Sequence, residues 1–303
     1  MNYQKVLITG ASGLLGHYLC RYFVNRKYDV FGISHNHRIE IPEVTEISCD
    51  LLDEEQFSQI FRSVAPDLVI HCAGLTNVDT CENDEARANK IHVQLSQFIA
   101  EQSKKIGAKM VHISTDHLWD GTKVNVTEDF PTSPINAYAR SKFKGEKVVL
   151  EKNPDALIVR TNFFGQGLQW RKSFSDWIIE TLVNNKVLNA FEDVFFTPIS
   201  IPLLSEYIFD SIQIDLKGIY HIVGCERISK YQFAVKIAEI FKLPLNLINP
   251  VSYKNAGLIA GRPMDMSLSV EKIEKALSKK MPTIEQSVQS ILSLESDNVK
   301  KLN

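Results

Sequence analysis

Cysteine is scarce in this sequence of 303 residues, and its five copies are scattered. They are Cys20, Cys49, Cys72, Cys81 and Cys225, with no C-x-x-C pair among them. An odd number without paired spacing argues against a disulfide framework and against a zinc site. We therefore expect reduced thiols in a cytoplasmic protein.

The sequence also lacks long apolar runs and a strong charge of either sign. No apolar run approaches the roughly 20 residues that span a bilayer, which argues against a transmembrane helix. The first ten residues, MNYQKVLITG, lack the apolar segment and cleavage site of a signal peptide. A net charge of −2 gives no electrostatic reason to expect nucleic acid or an anionic membrane as a partner.

What the sequence does contain is an alternation of short apolar runs with amphipathic segments. Six runs predict strands over residues 5–10, 28–34, 45–51, 67–74, 109–115 and 156–162. A helix is predicted after Gly13, and a long helix over 79–106 ends at Gly107. Several strands are apolar nearly throughout, as strands covered on both faces are. We therefore predict an α/β fold with a doubly wound parallel sheet.

A glycine-rich turn, GASGLLG, joins the first predicted strand to the first helix. Gly10 permits a tight turn, Gly13 lets a pyrophosphate approach the backbone, and Gly16 lets the helix pack on the sheet. The helix N-terminus then directs N–H groups and a positive dipole end at the phosphates. This context favours dinucleotide binding over a purely structural turn. The predicted contacts are Gly10, Ser12, Gly13, Leu14, Leu15 and Gly16.

The end of the second strand indicates which dinucleotide binds. An NAD site usually has an acid there, which accepts from the ribose 2′-hydroxyl. This sequence has Ser34, His35 and Arg38 instead, and no carboxylate before position 40. These donors suit a 2′-phosphate, so we predict NADPH in preference to NAD, against the alternative of an ordinary polar loop. Asp50 and Leu51 follow the third strand, where Asp50 is expected to accept from the adenine amino group or to cap the next helix.

The alternation loosens in the second half of the sequence. Helices are predicted over 200–212 and 229–241, and strands over 218–224 and 247–253. We expect a dinucleotide-binding Rossmann domain over 1–163, rejoined by about 187–213. Residues 164–186 and 214–303 are expected to form a smaller, mixed α+β substrate-binding lobe with a frayed end.

Tyr138 and Lys142 lie four positions apart in NAYARSK, on one face of a predicted helix. Alone, this spacing also fits an ordinary solvated helix face. Thr115, however, ends a buried strand at the carboxyl edge of the sheet, where ligands of open α/β folds bind. Hydride transfer to a ketone leaves an oxyanion that must be protonated. We predict Tyr138 as the proton donor, its pKa lowered by the Lys142 ammonium, with the Thr115 hydroxyl holding the carbonyl.

The ordered motifs resemble those of the extended short-chain dehydrogenase/reductases. They are GASGLLG (10–16), HCAGLTNVDTCENDEARANKIH (71–92), HISTDHLWDG (112–121), YARSK (138–142) and IVRTNFFG (158–165). More narrowly, STDHLWDG and PINAYARSKFKGE (134–146) resemble the dTDP-4-dehydrorhamnose reductase branch, which contains sugar-nucleotide 4-ketoreductases. The resemblance implies NADPH-dependent reduction of the 4-keto group of a nucleoside-diphosphate 6-deoxysugar, with Tyr138 as the proton donor.

The same resemblance assigns further residues. Cys72, Ala73 and Gly74 would line the cofactor groove beside Tyr138 and Lys142, and His71 is interpreted as a packing residue. Asn89 falls where the family often keeps an asparagine that supports a proton relay. The residues expected to bind the substrate are Thr76, Thr115, Asp116, His117, Asn162, Trp170 and Arg262. Arg262 is expected to contact the diphosphate with its guanidinium group.

Departures from the branch leave part of the function open. His117 and Trp119 replace the usual tyrosine and phenylalanine, so the particular sugar is undetermined. His17 and Tyr18 stand where members that bridge a dimer through a metal have acids, so we predict no metal site. A homodimer is compatible with the sequence. Two other functions also fit: a non-catalytic NADP-binding regulatory subunit resembling the methionine adenosyltransferase beta subunit, or a nucleotide-sugar epimerase or dehydratase that retains NAD.

Overall fold

A seven-stranded sheet dominates the first half of the chain. In the computed structural model, which describes residues 4–255 and 260–300, its strands are β1 (Lys5–Thr9), β2 (Asp29–Ser34), β3 (Val44–Ser48), β4 (Leu68–His71), β5 (Lys109–Ile113), β6 (Leu157–Arg160) and, from later in the chain, β11 (Gly218–His221). Their order is β11-β6-β5-β4-β1-β2-β3. The neighbouring pairs from β6 to β3 are parallel, so the predicted doubly wound parallel sheet is confirmed.

The strand order reverses at β1, which lies between β2 and β4. Thr9, the last residue of β1, pairs with Ile33 on one side and with His71 on the other. In open α/β sheets, ligands bind beyond the carboxyl ends of the strands at such a reversal. Every residue of β4 and β5 is buried, as expected of strands with both faces covered.

The helices of this half are α1 (Leu14–Val24), α2 (Glu54–Val64), α3 (Val78–Asn83), α4 (Glu85–Asn89), α5 (Leu95–Ile106) and α6 (Ala137–Lys152), with a π-helical turn at Lys90–Gln94. The long helix predicted over 79–106 is therefore interrupted twice. Asp84 ends α3 and caps α4, because its side chain accepts from Arg87 N at 2.9 Å. The predicted end is confirmed: Gly107 closes α5 with a φ of +74°.

The second half of the chain contains short strands packed with helices. Its elements are β7 (Phe163–Phe164), α7 (Phe174–Val183), β8 (Leu188–Phe191), β9 (Phe195–Phe196), β10 (Ile199–Ser200), α8 (Ile201–Gln213), β12 (Ile228–Ser229), α9 (Lys230–Phe241), β13 (Ile248–Val251), α10 (Glu271–Leu277) and α11 (Ile284–Lys300), with 3₁₀ turns at Leu245–Leu247 and Tyr253–Asn255. Phe164, Phe196 and Phe233 pack ring to ring in its core. The predicted frayed end falls on residues 301–303, outside the described part.

The chain divides into two compact units. The first consists of Met1–Leu118, Pro134–Arg160 and Ser211–Tyr220, and the second of Trp119–Ser133, Thr161–Asp210 and His221–Asn303. The first unit is thus rejoined later than the predicted 187–213, because Gly218 N donates to Ala156 O as β11 joins the sheet. Residues 119–133, predicted in the first domain, belong to the second unit because Val126 bridges Leu268.

Within residues 4–255 and 260–300, no helix is long and apolar enough to cross a membrane. The same residues contain no group of three or more His, Cys, Asp or Glu side chains arranged to hold a metal ion. All five cysteines are free thiols.

Candidate active site

The glycine-rich turn has the close backbone approaches that its sequence indicated. Gly10 has a φ of +64°, and a Cβ there would lie 2.8 Å from the backbone of Ala73. A Cβ at Gly16 would collide with the carbonyl of Gly10. α1 starts at Leu14, and its N-cap Gly13 contributes no capping side chain. The helix N-terminus therefore keeps backbone N–H groups for an anion, which fits the diphosphate of a dinucleotide.

A carboxylate from β3, which the linear sequence did not indicate, lies at the end of β2. Pairing of β2 with β3 sets Gly32 opposite Glu46, and Ser34 Oγ donates to Glu46 Oε1 at 2.5 Å. No acid precedes position 40 after β2, as predicted, but the pairing with β3 brings the Glu46 carboxylate to Ser34. Ser34 is buried and engaged with Glu46, whereas His35 and Arg38 are exposed.

Asp50 and Leu51 follow β3, and Leu51 lines a small cavity there. Asp50 Oδ1 accepts from Leu52 N at 3.0 Å, while Asp53 caps α2, so Asp50 is not the helix cap. The cavity has a volume of about 190 Å³ and is lined by Leu51, Leu52, Glu54, Lys90, Gln94, Leu95 and Phe98. Lys90 and Gln94 reach this cavity from the π-helical turn, a contact that the linear sequence did not indicate.

The residues after β4 are tied to the end of β1. Cys72 N donates to Thr9 O at 3.2 Å, and the backbone of Ala73 lies against Gly10. His71 is buried, with Nδ1 2.7 Å from Thr9 Oγ1 and Nε2 3.1 Å from Ser96 Oγ. Burial, followed by the charge of Lys142, lowers the pKa of His71 to about 3. A neutral, hydrogen-bonded histidine fits the packing role predicted for it.

Two hydrogen bonds at the N-terminus of α6 hold the backbone on either side of Tyr138. The Asn136 side chain caps the helix by accepting from Ala139 N at 2.8 Å. Ala137 N donates to Glu82 Oε2 at 2.7 Å. Tyr138 is the next residue and is partly buried. The Thr115 side chain lies close enough to act on the pKa of this phenol, so the structure brings the predicted proton donor and carbonyl-binding hydroxyl together.

The pKa of Tyr138 differs from the sequence-based expectation. Burial raises it to about 12; the hydrogen bond to Thr115 lowers it, and the charges of Asp116 and Cys81 raise it. Lys142 is not among these influences, so the structure does not show the expected lowering of the Tyr138 pKa by Lys142. A raised pKa keeps the phenol protonated at neutral pH, which suits a group that donates a proton.

Lys142 is buried one helical turn after Tyr138. Its Nζ donates to Ile113 O at 2.7 Å. Burial lowers its pKa to about 8, partly offset by the negative charge of Glu146. Glu146 is itself buried, accepts from Arg160 Nη2 at 2.7 Å and is hydrogen-bonded to Ser114 Oγ. The single charge of Lys142 therefore lies near a carboxylate that is already paired with a guanidinium group.

Two histidine rings contact the phenol ring edge to face. The ring centroids of His92 and His117 each lie 5.7 Å from that of Tyr138, with interplanar angles of 81° and 89°. His117 was predicted from the motif, and its backbone N–H donates to Thr115 Oγ1 at 3.3 Å. His92 was missed. Asn89, which the resemblance indicated, instead donates its side-chain amide to Glu85 O at 2.9 Å.

The remaining predicted substrate residues divide between the units. In the first unit, Asp116 is buried, with Oδ1 3.3 Å from Thr115 Oγ1, whereas Thr76 is exposed just before α3. Asn162, Trp170 and Arg262 belong to the second unit. There, Asn162 O accepts from Ile199 N at 3.0 Å, and Arg262 Nη1 donates to Ala260 O at 2.8 Å. Substrate binding by these residues stays a prediction.

Known proteins resemble this chain over most of their lengths. The beta subunit of methionine adenosyltransferase 2 from Rattus norvegicus is 29% identical over 278 residues, which are 89% of this chain and 82% of that protein. The crystal structure of a hypothetical dTDP-4-dehydrorhamnose reductase from Sulfolobus tokodaii is 34% identical with a TM-score of 0.82, covering 92% of this chain and 97% of that one. The Bacillus anthracis dTDP-4-dehydrorhamnose reductase, crystallised with NADP, is 26% identical with a TM-score of 0.85, covering 96% and 99%.

A family match extends over nearly the whole chain. The model of the RmlD substrate binding domain matches residues 4–296, which includes the glycine turn, the Thr115–Tyr138 pair and the second unit. The resemblance indicated by the motifs is confirmed by this match and by the solved reductase structures. The chain therefore belongs to the RmlD substrate binding domain family.

Proposed function

We propose that this protein is an NADPH-dependent reductase of the 4-keto group of a nucleoside-diphosphate 6-deoxysugar. The observation that carries the proposal is the grouping of Tyr138, Thr115 and Lys142. The His117 ring contacts the phenol while its backbone N–H donates to Thr115 Oγ1 at 3.3 Å, and Lys142 is buried one turn further along α6. A phenol, a hydroxyl and an ammonium group at the carboxyl edge of the sheet are the groups that ketone reduction requires. The similarity to two reductase structures supports the same reaction.

Each side chain has a separate task in this reaction. NADPH supplies the hydride when it is bound. The Thr115 hydroxyl donates to the substrate oxygen as negative charge develops there. Tyr138, protonated because burial raises its pKa, transfers its proton to that oxygen. The Lys142 ammonium group lies one turn further along α6 and is proposed to reach the nicotinamide ribose when the cofactor is bound.

The cofactor is proposed to be held by the glycine turn and the ends of β2 and β3. Backbone N–H groups at the start of α1 would bind the diphosphate, and Leu51 would contact the adenine beside its cavity. The exposed side chains of His35 and Arg38 favour a 2′-phosphate, whereas the Glu46 carboxylate disfavours it. We propose that NADPH is preferred because two donors oppose one acid. Arg262, Trp170 and Asn162 are proposed to contact the nucleotide-sugar.

The decisive experiment measures NADPH oxidation with a panel of dTDP-, GDP-, CDP- and UDP-4-keto-6-deoxysugars. Tyr138→Phe should lower kcat at least about 100-fold, because the proton donor is removed. Tyr28→Phe, which removes a phenol hydroxyl elsewhere in the first unit, is the matched control. Turnover that survives in Tyr138→Phe would remove the phenol from the proposed role.

A non-catalytic regulatory subunit is the second candidate, and the 29% identity to the methionine adenosyltransferase 2 beta subunit favours it. In that case the protein should bind NADP tightly, reduce none of the sugars in the panel, and alter the activity of a methionine adenosyltransferase catalytic subunit. The same panel therefore separates the two candidates.

A further inference from the structure

The π-helical turn at Lys90–Gln94 directs a histidine at the catalytic helix. A π-helical turn is rare and wider than an α-helical one, and such turns are frequent at functional sites. His92 lies in the middle of this turn and is 1% exposed. Its backbone carbonyl lies so close to Gly145 of α6 that a Cβ there would collide with it. The turn and α6 are therefore in backbone contact at this point.

The imidazole of His92 joins three separate segments by hydrogen bonds. Leu75 N, in the loop after β4, donates to His92 Nε2 at 3.0 Å. Nδ1 lies 2.8 Å from Ser141 Oγ, and Ser141 Oγ donates to the backbone carbonyl of Tyr138 at 2.9 Å. Because the hydroxyl proton of Ser141 is used on Tyr138, Nδ1 must donate to Ser141. Both observations require the same neutral tautomer, with the proton on Nδ1.

The ring of His92 also contacts the side chain of Tyr138, whose backbone carbonyl is linked to His92 through Ser141. Its edge-to-face contact with the Tyr138 phenol complements that of His117 on the same ring. Rings in this geometry attract each other by roughly 0.5–1.5 kcal/mol beyond the area that they bury. His92 therefore restrains both the backbone and the ring of Tyr138.

We propose that His92 is a positioning residue, which holds the Tyr138 phenol at Thr115 through a fixed Nδ1–H tautomer and an edge-to-face ring contact. The inference rests on the proposed reductase function for its catalytic consequence, but not for the tautomer. The groups that face His92 are Lys142 and Tyr138 on α6, His71 on β4 and His112 on β5. Burial and the positive charge of Lys142 oppose protonation of the imidazole, so its hydrogen bonds persist as the pH falls.

The first test compares variants that break different parts of this arrangement. His92→Phe keeps a ring but removes both hydrogen bonds, Ser141→Ala removes one, and His92→Gln can donate and accept as histidine does. We expect kcat to fall about 10- to 100-fold in His92→Phe and in Ser141→Ala, as a misplaced reacting group does. His92→Gln should recover most of this loss, and the KM for NADPH should change less than twofold in all three.

Ser63→Ala is the matched control, because Ser63 Oγ donates to Ile60 O three residues earlier in α2, as Ser141 does in α6. It should leave kcat unchanged. An unchanged kcat in His92→Phe, or a loss confined to thermal stability or to the KM for NADPH, would overturn the positioning role.

The second test does not use activity. Nitrogen-15 NMR of labelled histidine should find His92 as the Nδ1–H tautomer, without titration between pH 5 and pH 8. An Nε2–H tautomer, or titration near the usual histidine pKa of about 6.5, would refute the inference. If the protein reduces none of the sugars, the proposed function fails, and this measurement still decides the arrangement around His92.

Discussion

Lys142 is expected to set the upper pH limit of the reaction. Its pKa is lowered to about 8 by burial, so the ammonium form is lost as the pH rises through that value. Tyr138, with a pKa near 12, stays protonated throughout. We predict that kcat/KM falls above about pH 8 and that Lys142→Arg moves this limb to higher pH, because guanidinium stays charged.

A pH profile of each purified, folded variant checks this prediction. If the limb stays near pH 8 in Lys142→Arg, the titrating group is a different one. A limb that moves with substitution of Tyr138 would contradict the prediction as well.

Breaking the buried ion pair of Glu146 with Arg160 is expected to destabilise the first unit strongly. Both side chains are 2% exposed, and Arg160 Nη2 lies 2.7 Å from Glu146 Oε2. Glu146→Gln leaves the guanidinium group without its carboxylate and should lower the free energy of unfolding by about 3–5 kcal/mol.

Glu101→Gln is the matched control for this change. Glu101 forms a half-exposed pair with Lys152 at the other end of α6, and its loss should lower the free energy of unfolding by less than about 1 kcal/mol. Urea unfolding measures both variants, and similar losses in the two would contradict the difference expected from burial.

At the residue scale, the sequence indicated the candidate reactive residues but not the residues that contact them. Tyr138, Lys142 and Thr115 were predicted because spacing and strand position are local properties. His92 carried no local signal, because its hydrogen bonds reach Leu75 and Ser141, which are distant in sequence. The direction of the Tyr138 pKa was missed for the same reason, since burial depends on the packed structure.

Among the elements, the pairing of β2 with β3 is expected to tune the choice of cofactor. It brings Glu46 to Ser34, at the edge where a ribose 2′-phosphate is proposed to bind. Glu46→Gln removes a repulsive charge, so we predict that NADPH binding relative to NADH strengthens roughly 3- to 10-fold, equivalent to about 0.7–1.4 kcal/mol. Arg38→Ala should change the ratio in the opposite direction.

Glu43→Gln gives the same change in net charge just before β3, at the opposite end of that strand, and should leave the ratio unchanged. Equilibrium binding of both cofactors measures the ratio. If Glu46→Gln and Glu43→Gln change the ratio of NADPH to NADH binding equally, the cause is net charge and not the pairing of β2 with β3.

The six strands predicted in the first half all form, because short runs of apolar and β-branched residues are a local signal. The long helix over 79–106 was predicted without its breaks. Asp84 could have indicated one of them, since an aspartate before a helical segment is a common cap. The π-helical turn carried no local signal, and its close contact with Gly145 of α6 is distant in sequence.

Across the whole molecule, buried neutral histidines are expected to make the fold sensitive to acid. Burial is the main cause that lowers the pKa of His17 to about 4 and of His71 and His92 to about 3. In the unfolded chain these side chains take up a proton below about pH 6.5, whereas in the folded protein they do not. The unfolded state therefore binds more protons, and the free energy of unfolding falls as the pH falls.

Each of these histidines should contribute up to about 1.4 kcal/mol per pH unit between pH 6.5 and its folded pKa. Urea unfolding from pH 7.5 to pH 5 measures the slope, which should be smaller in His71→Gln than in the original protein. A free energy of unfolding that is constant over this range would refute the prediction.

The division of the chain was only partly predictable. Alternating strands and helices predicted the first unit up to residue 163, close to the observed Arg160. Residues 119–133 carry no periodic pattern that assigns them to either unit, and their place is decided by backbone pairing with Leu268, far along the chain. The return of the chain through β11 likewise depends on a hydrogen bond to Ala156 rather than on local sequence.

Gly145 lies on the side of α6 that faces the π-helical turn, and it takes no part in any of the proposed chemistry. Yet one added carbon atom there would force the two backbones apart and carry the imidazole away from the phenol. A relative could thus retain every reactive group and still be inactive, because it has a residue larger than glycine at this position. A glycine at the position of Gly145 is therefore expected in active members of this family, together with the reactive side chains.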